Sequence, residues 1–143
     1  MKMNKELFEL YSSRWDKLMD EYLKIDGDIY LLIKPTNPLL IKVRNEEDYA
    51  SADIRLMVFG QETNNWYKQS NSIADVWEKY NELFNAGRCY KKGGQFWNGV
   101  KRFEERISKK FPDKKIRFIW NNIVKIGKSN KKGMQPDYIY KLE

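Results

Sequence analysis

Leu56-Met57-Val58-Phe59-Gly60-Gln61-Glu62 is the stretch on which the fold turns. From Ile54 to Phe59 large apolar and β-branched side chains follow one another with little polar interruption. Such a run suits a strand buried on both faces, as in a parallel sheet. Gly60 is expected to close it, leaving Gln61 and Glu62 at its carboxyl end.

Working outward, Ser72 opens a helix with Asp75 three residues on, in the manner of a capping box. Ile73, Val76, Trp77, Tyr80 and Phe84 form its inner stripe, and Ala86-Gly87 ends it. A second helix is predicted over residues 95–110, with Phe96, Val100, Phe103, Ile107 and Phe111 on one face and Pro112-Asp113 as its stop. Ile116 to Trp120 reads as another buried strand, ending in Asn121-Asn122. The order strand, helix, helix, strand predicts a parallel α/β sheet joined by a crossover. Ligands of such sheets bind at the carboxyl ends of the strands, where Gly60-Gln61-Glu62 and Asn121-Asn122 both fall.

Upstream, Leu7, Tyr11, Trp15, Leu18, Tyr22 and Ile25 step by three and four, predicting an amphipathic helix over residues 5–25. Asp26-Gly27-Asp28 stops it. Ile29 to Ile33 reads as a short strand, broken by two prolines in Lys34-Pro35-Thr36-Asn37-Pro38. Leu39 to Val43 fits a strand or an extended packing segment, and Asn45 to Ala52 a polar loop or helical turn. Asp137 begins a final helix. Gly127 to Gly133 lacks the glycine spacing of a phosphate-binding loop and reads as a lysine-rich surface loop.

The 143 residues fit a single α/β domain, or the N-terminal part of one. There is no histidine, which excludes imidazole catalysis and imidazole metal sites. Cys89 is the only cysteine, so neither an intrachain disulfide nor a cysteine metal cluster can form. No metal or cofactor is implied. No apolar run approaches a membrane span and no signal core opens the chain, so a cytoplasmic protein without membrane contact is expected. The net charge of +7 is uneven: residues 91–143 hold 15 Lys/Arg against 5 Asp/Glu, and residues 1–90 hold 12 against 15. A basic half suits a polyanion such as DNA, with Lys125, Lys128, Lys131 and Lys132 as candidate contacts; solubility alone is the plainer reading.

A carboxylate at Glu62 could activate water or merely cap a turn. Gln61, Asn64, Asn121 and Asn122 carry amides suited to a base edge or to ordinary loop polarity. Trp66, Tyr67 and Trp97 could stack on a base or belong to the core.

Val58-Phe59-Gly60-Gln61-Glu62 resembles the first motif of the uracil-DNA glycosylase superfamily, where a strand ends in Gly-Gln-Asp-Pro-Tyr or a variant. Phe118-Ile119-Trp120-Asn121 is similar to that superfamily's strand-terminal asparagine motif. The resemblance runs from about Pro35 to Gly133. It implies a three-layer α/β/α fold with a parallel sheet, incomplete at its C-terminal side. It also implies Glu62 in the place of the water-activating carboxylate, Asn121 as reader of a flipped base, and Gly60 and Gln61 as its backbone cradle. Thr63 and Asn64 replace the Pro-Tyr of the motif, and the family's histidine-bearing loop has no counterpart. Two readings follow. One is a glycosylase-like protein that binds DNA or a nucleobase and, if an enzyme, hydrolyses the N-glycosidic bond. The other is a non-catalytic shortened relative that binds nucleic acid or a protein partner, as in phage or mobile-element interactions. Oligomeric state is left open.

Overall fold

The computed structural model describes residues 2–25, 27–62, 66, 72–129 and 135–142. It is a mixed α/β arrangement whose centre is a two-stranded parallel sheet. Helices α1 (Met3–Leu23), α2 (Gly27–Ile33) and α3 (Glu46–Ala50) precede strand β1 (Ile54–Glu62). Then come α4 (Ile73–Tyr80), a π-helical turn (Asn81–Asn85), α5 (Arg88–Lys91), α6 (Gly94–Lys110), β2 (Ile116–Val124) and α7 (Asp137–Tyr140).

The helices form where the apolar period places them. In α1 the stripe turns inward, with Trp15 and Tyr22 buried. Ser72 caps α4 by accepting a hydrogen bond from Asp75 N at 3.3 Å, which satisfies one of the free amides of the first turn. The stripe of α4 continues through the π turn to Phe84, and Gly87, at φ 68°, supplies the left-handed residue that ends it. Asn45 caps α3 in the same way, through Asp48 N at 3.0 Å, so the 45–52 region is a helical turn. In α6 the inward residues include Val100, whereas Phe96 and Phe103 of the expected stripe stay more than two-fifths exposed.

Three expectations are corrected. Ile29 to Ile33 is helical, not a strand: Lys34 N donates to Tyr30 O at 2.7 Å, four residues back, and Lys34 ends the helix at φ 41°. A short apolar run carries too few periods to separate the two states. Leu39 to Val43, by contrast, takes the second of its two expected forms, an extended packing segment buried at Leu39, Leu40 and Val43 and outside the sheet. Both strands also run past their expected ends, so Gly60 does not close β1 and Asn121-Asn122 lie inside β2. Nor is β1 covered on both sides: Met57 and Phe59 are 44% and 53% exposed.

The core lies on the other face. Leu39, Trp66 and Tyr80 form one buried cluster with Phe84 and Trp120 packed against it. Trp15, Leu40 and Val76 tie α1 to α4, and Tyr22, Ile126 and Ile139 tie α1 to α7. The segment after β2 is stitched to the proline stretch by Thr36 N to Gly127 O at 2.9 Å and Leu39 N to Lys125 O at 3.0 Å. Gly127, read as surface loop, is therefore buried.

Candidate functional site

The strands pair in parallel with Phe59 beside Asn121, Gly60 beside Asn122 and Glu62 beside Val124. The two motifs singled out in the sequence, sixty residues apart, thus become neighbours across one ladder. Side chains alternate along a strand. Gly60, Glu62, Trp120 and Asn122 therefore share the face beneath α4 and α6, and Gln61 and Asn121 share the other.

Glycine at 60 is a matter of space. A Cβ there would stand 2.4 Å from Asn122 Oδ1 and 2.9 Å from Trp120 Cζ2. The Asn122 amide and the Trp120 indole lie directly on the bare Cα. Asn122 is 1% exposed, yet neither its Nδ2 nor its Oδ1 has a hydrogen-bond partner among the described residues. Glu62 Oε2 and Trp120 Nε1 are buried and likewise without a partner among the described residues. Buried polar atoms are nearly always satisfied, and each exception asks for an explanation. Four such atoms, from Glu62, Trp120 and Asn122, share one face of the sheet around Gly60; Gln135 Oε1 is another and belongs to neither strand.

Asn121 has a different occupation. Its Oδ1 accepts from Asn122 N at 2.9 Å and from the Lys125 ammonium, and its Nδ2 approaches Met57 Sδ at 3.6 Å. Lys125 also donates to Asn122 O at 3.0 Å. The side chain expected to read a base is committed to the backbone beside it, and the free amide belongs to its neighbour. Glu62 and Asn121 fall on opposite faces; Glu62 and Asn122 fall on the same one. Gln61 is exposed on the Asn121 side.

The wall of the site is aromatic. Phe84 stacks on Trp120 at 4.2 Å and 26° and on Trp66 at 5.6 Å and 22°, and Trp97 stands 5.3 Å from Trp120. Trp66 and Trp97 are thus part of the packed cluster, with Trp66 only 5% exposed. Tyr80 locks the strand beneath: its hydroxyl donates to Trp120 O at 2.6 Å and accepts from Trp120 N at 3.2 Å. Burial holds the Tyr80 hydroxyl far above the usual phenol range. Trp120, Phe84 and Tyr80 were missed as site residues. Only the i, i+2 spacing of Trp120 to Asn122 hints at them, and that hint needs the strand to extend past Trp120.

Of the basic candidates, Lys125 is engaged as described and Lys128 forms an antiparallel bridge with Pro35. Asn64, Tyr67, Lys131 and Lys132 lie outside the described residues. Beside the sheet, Tyr90 OH donates to Glu104 Oε1 at 2.6 Å. Burial raises the Glu104 carboxyl, and it pushes the Cys89 thiol up to about 11, so that thiol is protonated and unreactive at neutral pH.

Chemically, the Gly60 face offers an amide donor and acceptor at Asn122, a carboxylate acceptor at Glu62 and an indole donor at Trp120. That set matches the edge of a planar, hydrogen-bonding heterocycle. The fold and site define a mixed α/β protein with a polar seam between parallel strands. No helix among the described residues is long and apolar enough to cross a membrane. No family model, curated protein or solved structure matches the chain.

Proposed function

We propose that this chain is a uracil-DNA glycosylase-like protein that takes a DNA base, turned out of its stack, against the face carrying Gly60, Glu62 and Asn122. The observation that supports it most is the pairing of Gly60 with Asn122, which puts two amide atoms and the Glu62 carboxylate oxygen, all without partners among the described residues, on one face of the sheet. In this reading Asn122, rather than Asn121, holds the base edge. The three-layer α/β/α sandwich of the superfamily is part of the proposal, with α4 and α6 as one helical layer.

If the bond is cut, Glu62 takes a proton from water as the water oxygen bonds to the sugar C1′. The C1′–N bond breaks with its electron pair leaving on the base, whose edge the Asn122 amide N–H stabilises. Binding without cleavage is the second reading. It is favoured by a histidine-free chain and by the commitment of Asn121 to the strand backbone.

The test uses labelled DNA carrying uracil, hypoxanthine or a mismatch, scored for binding and for abasic sites. Asn122→Ala is expected to weaken base-dependent binding roughly ten- to a hundredfold, the worth of about 1–3 kcal/mol for a bidentate base contact. Glu62→Gln should abolish abasic product while leaving binding in place. Affinity that ignores both the base and Asn122→Ala overturns base recognition. Base-dependent binding with no product from the unsubstituted protein selects the second reading.

A further inference from the structure

The two edges of the sheet are treated in opposite ways. Ile54 N donates to Lys115 O at 3.1 Å, which fixes the even-numbered residues of β1 as those whose backbone faces β2. The outward edge of β2 is then made by Ile116, Phe118, Trp120 and Asn122, and side chains cap it. Arg117 Nη1 takes Ile116 O at 2.8 Å, the Tyr80 hydroxyl takes both backbone groups of Trp120, Asn121 Oδ1 takes Asn122 N, and Lys125 takes Asn122 O. A further strand cannot pair there without displacing them.

On the outward edge of β1, the backbone groups of Arg55, Met57, Phe59 and Gln61 have no hydrogen-bond partner among the described residues. Their side chains are open too, with Met57 44% and Phe59 53% exposed. An extended edge with an apolar centre at Met57 and Phe59, without lysine or proline and unpaired among the described residues, is a template for strand pairing. A two-stranded sheet is also below the usual number for a stable sheet.

We infer that β1 pairs edge to edge with β1 of a second copy of this chain, antiparallel, about a two-fold axis at Val58. The register argues for this occupant. Centred on Val58, the outward residues meet as Met57 with Phe59 of the second copy and Arg55 with Gln61 of the second copy. Each pair exchanges two backbone hydrogen bonds, the apolar side chains meet each other, and no like charges oppose. The same patch serves both copies, as two-fold symmetry requires. The result is a continuous four-stranded sheet, β2–β1–β1–β2. It does not rest on the nucleobase reading, whose Gly60, Glu62 and Asn122 lie on the other face.

Light scattering on the eluting full-length chain, over a concentration series, decides it. Twice the 17.2 kDa chain mass is expected for the unsubstituted protein. Phe59→Lys removes two symmetry-related apolar pairs and should raise the dissociation constant about tenfold. The side chain is exposed, so the circular dichroism spectrum should hold. Gln61→Glu sets a carboxylate opposite Arg55 in both halves and should tighten the dimer; Gln61→Arg should loosen it. This opposed pair reads the register even where Phe59→Lys misfolds. A monomer at every concentration overturns the inference. So does a dimer indifferent to Phe59→Lys and to the sign of the charge at 61, or a monomer whose β1 edge is taken by a strand of another polypeptide.

Discussion

Gly60 shows how little room separates the two motifs. A methyl group placed there meets the Asn122 carboxamide at 2.4 Å, and it cannot move without pushing that amide or the indole behind it. Gly60→Ala is therefore expected to cost about 1–3 kcal/mol, measured by chemical denaturation, even though alanine suits an extended backbone better than glycine. Glu104 gives a second residue-scale test. Burial raises its carboxyl pKa, so the folded state holds the proton more tightly than the unfolded chain. Its favourable contribution is complete below the unfolded pKa of about 4.3 and is lost as pH rises through the folded value. Glu104→Gln keeps an acceptor for the Tyr90 hydroxyl, so it should flatten that decline and leave the protein more stable at pH 7. Asp48 runs the other way. Hydrogen bonds from Arg117 and Lys115 hold its carboxyl well below the usual range, so its contribution is present near neutrality and is lost progressively as pH falls below the unfolded value of about 3.9. An unchanged pH–stability curve in Glu104→Gln would refute the assignment.

The elements carry their own energetics. Tyr80 is the hinge between α4 and β2, since one hydroxyl satisfies both backbone groups of Trp120. Tyr80→Phe keeps the ring in its cluster and strands those two groups. A loss of about 1–3 kcal/mol is expected, from the cost of leaving a buried polar group unpaired. Denaturant unfolding would show it as a lower midpoint at unchanged slope. Ser72→Ala at the α4 cap should cost about 1 kcal/mol. These elements also show what the sequence made legible. The helical stripes of α1 and α4, the cap at Ser72 and both central strands announce themselves, because period and capping are local signals. The parallel pairing followed from their order. The Ile29–Ile33 helix did not, because five apolar residues fit either state. Which asparagine faces Glu62 was also hidden. A strand places successive side chains on opposite faces, so the answer depends on the register, and a shift of one residue exchanges Asn121 for Asn122. Register is set by contacts between residues sixty positions apart, and nothing local encodes it.

For the whole molecule the open question of charge becomes a placement. The basic half has its most regular array on α6, where Arg102, Arg106 and Lys110 recur every fourth residue, all exposed and none in an ion pair among the described residues. Successive members of such a stripe lie about 6 Å apart along the helix axis. By contrast Lys125, one of the cations expected at a phosphate, already serves Asn121 and Asn122. If DNA approaches the basic half, the salt dependence of binding should therefore track α6. Each phosphate neutralised contributes a slope of roughly −0.9 in log affinity against log salt. Replacing Arg102 and Arg106 together by Gln should make that slope shallower by about two and weaken binding to all sequences alike. Lys125→Gln should change the slope by less than one while lowering stability, since it removes a donor from the β2 edge. A slope that ignores the α6 substitutions would move the phosphate path elsewhere, and a slope near zero would reduce the basic half to a solubilising surface.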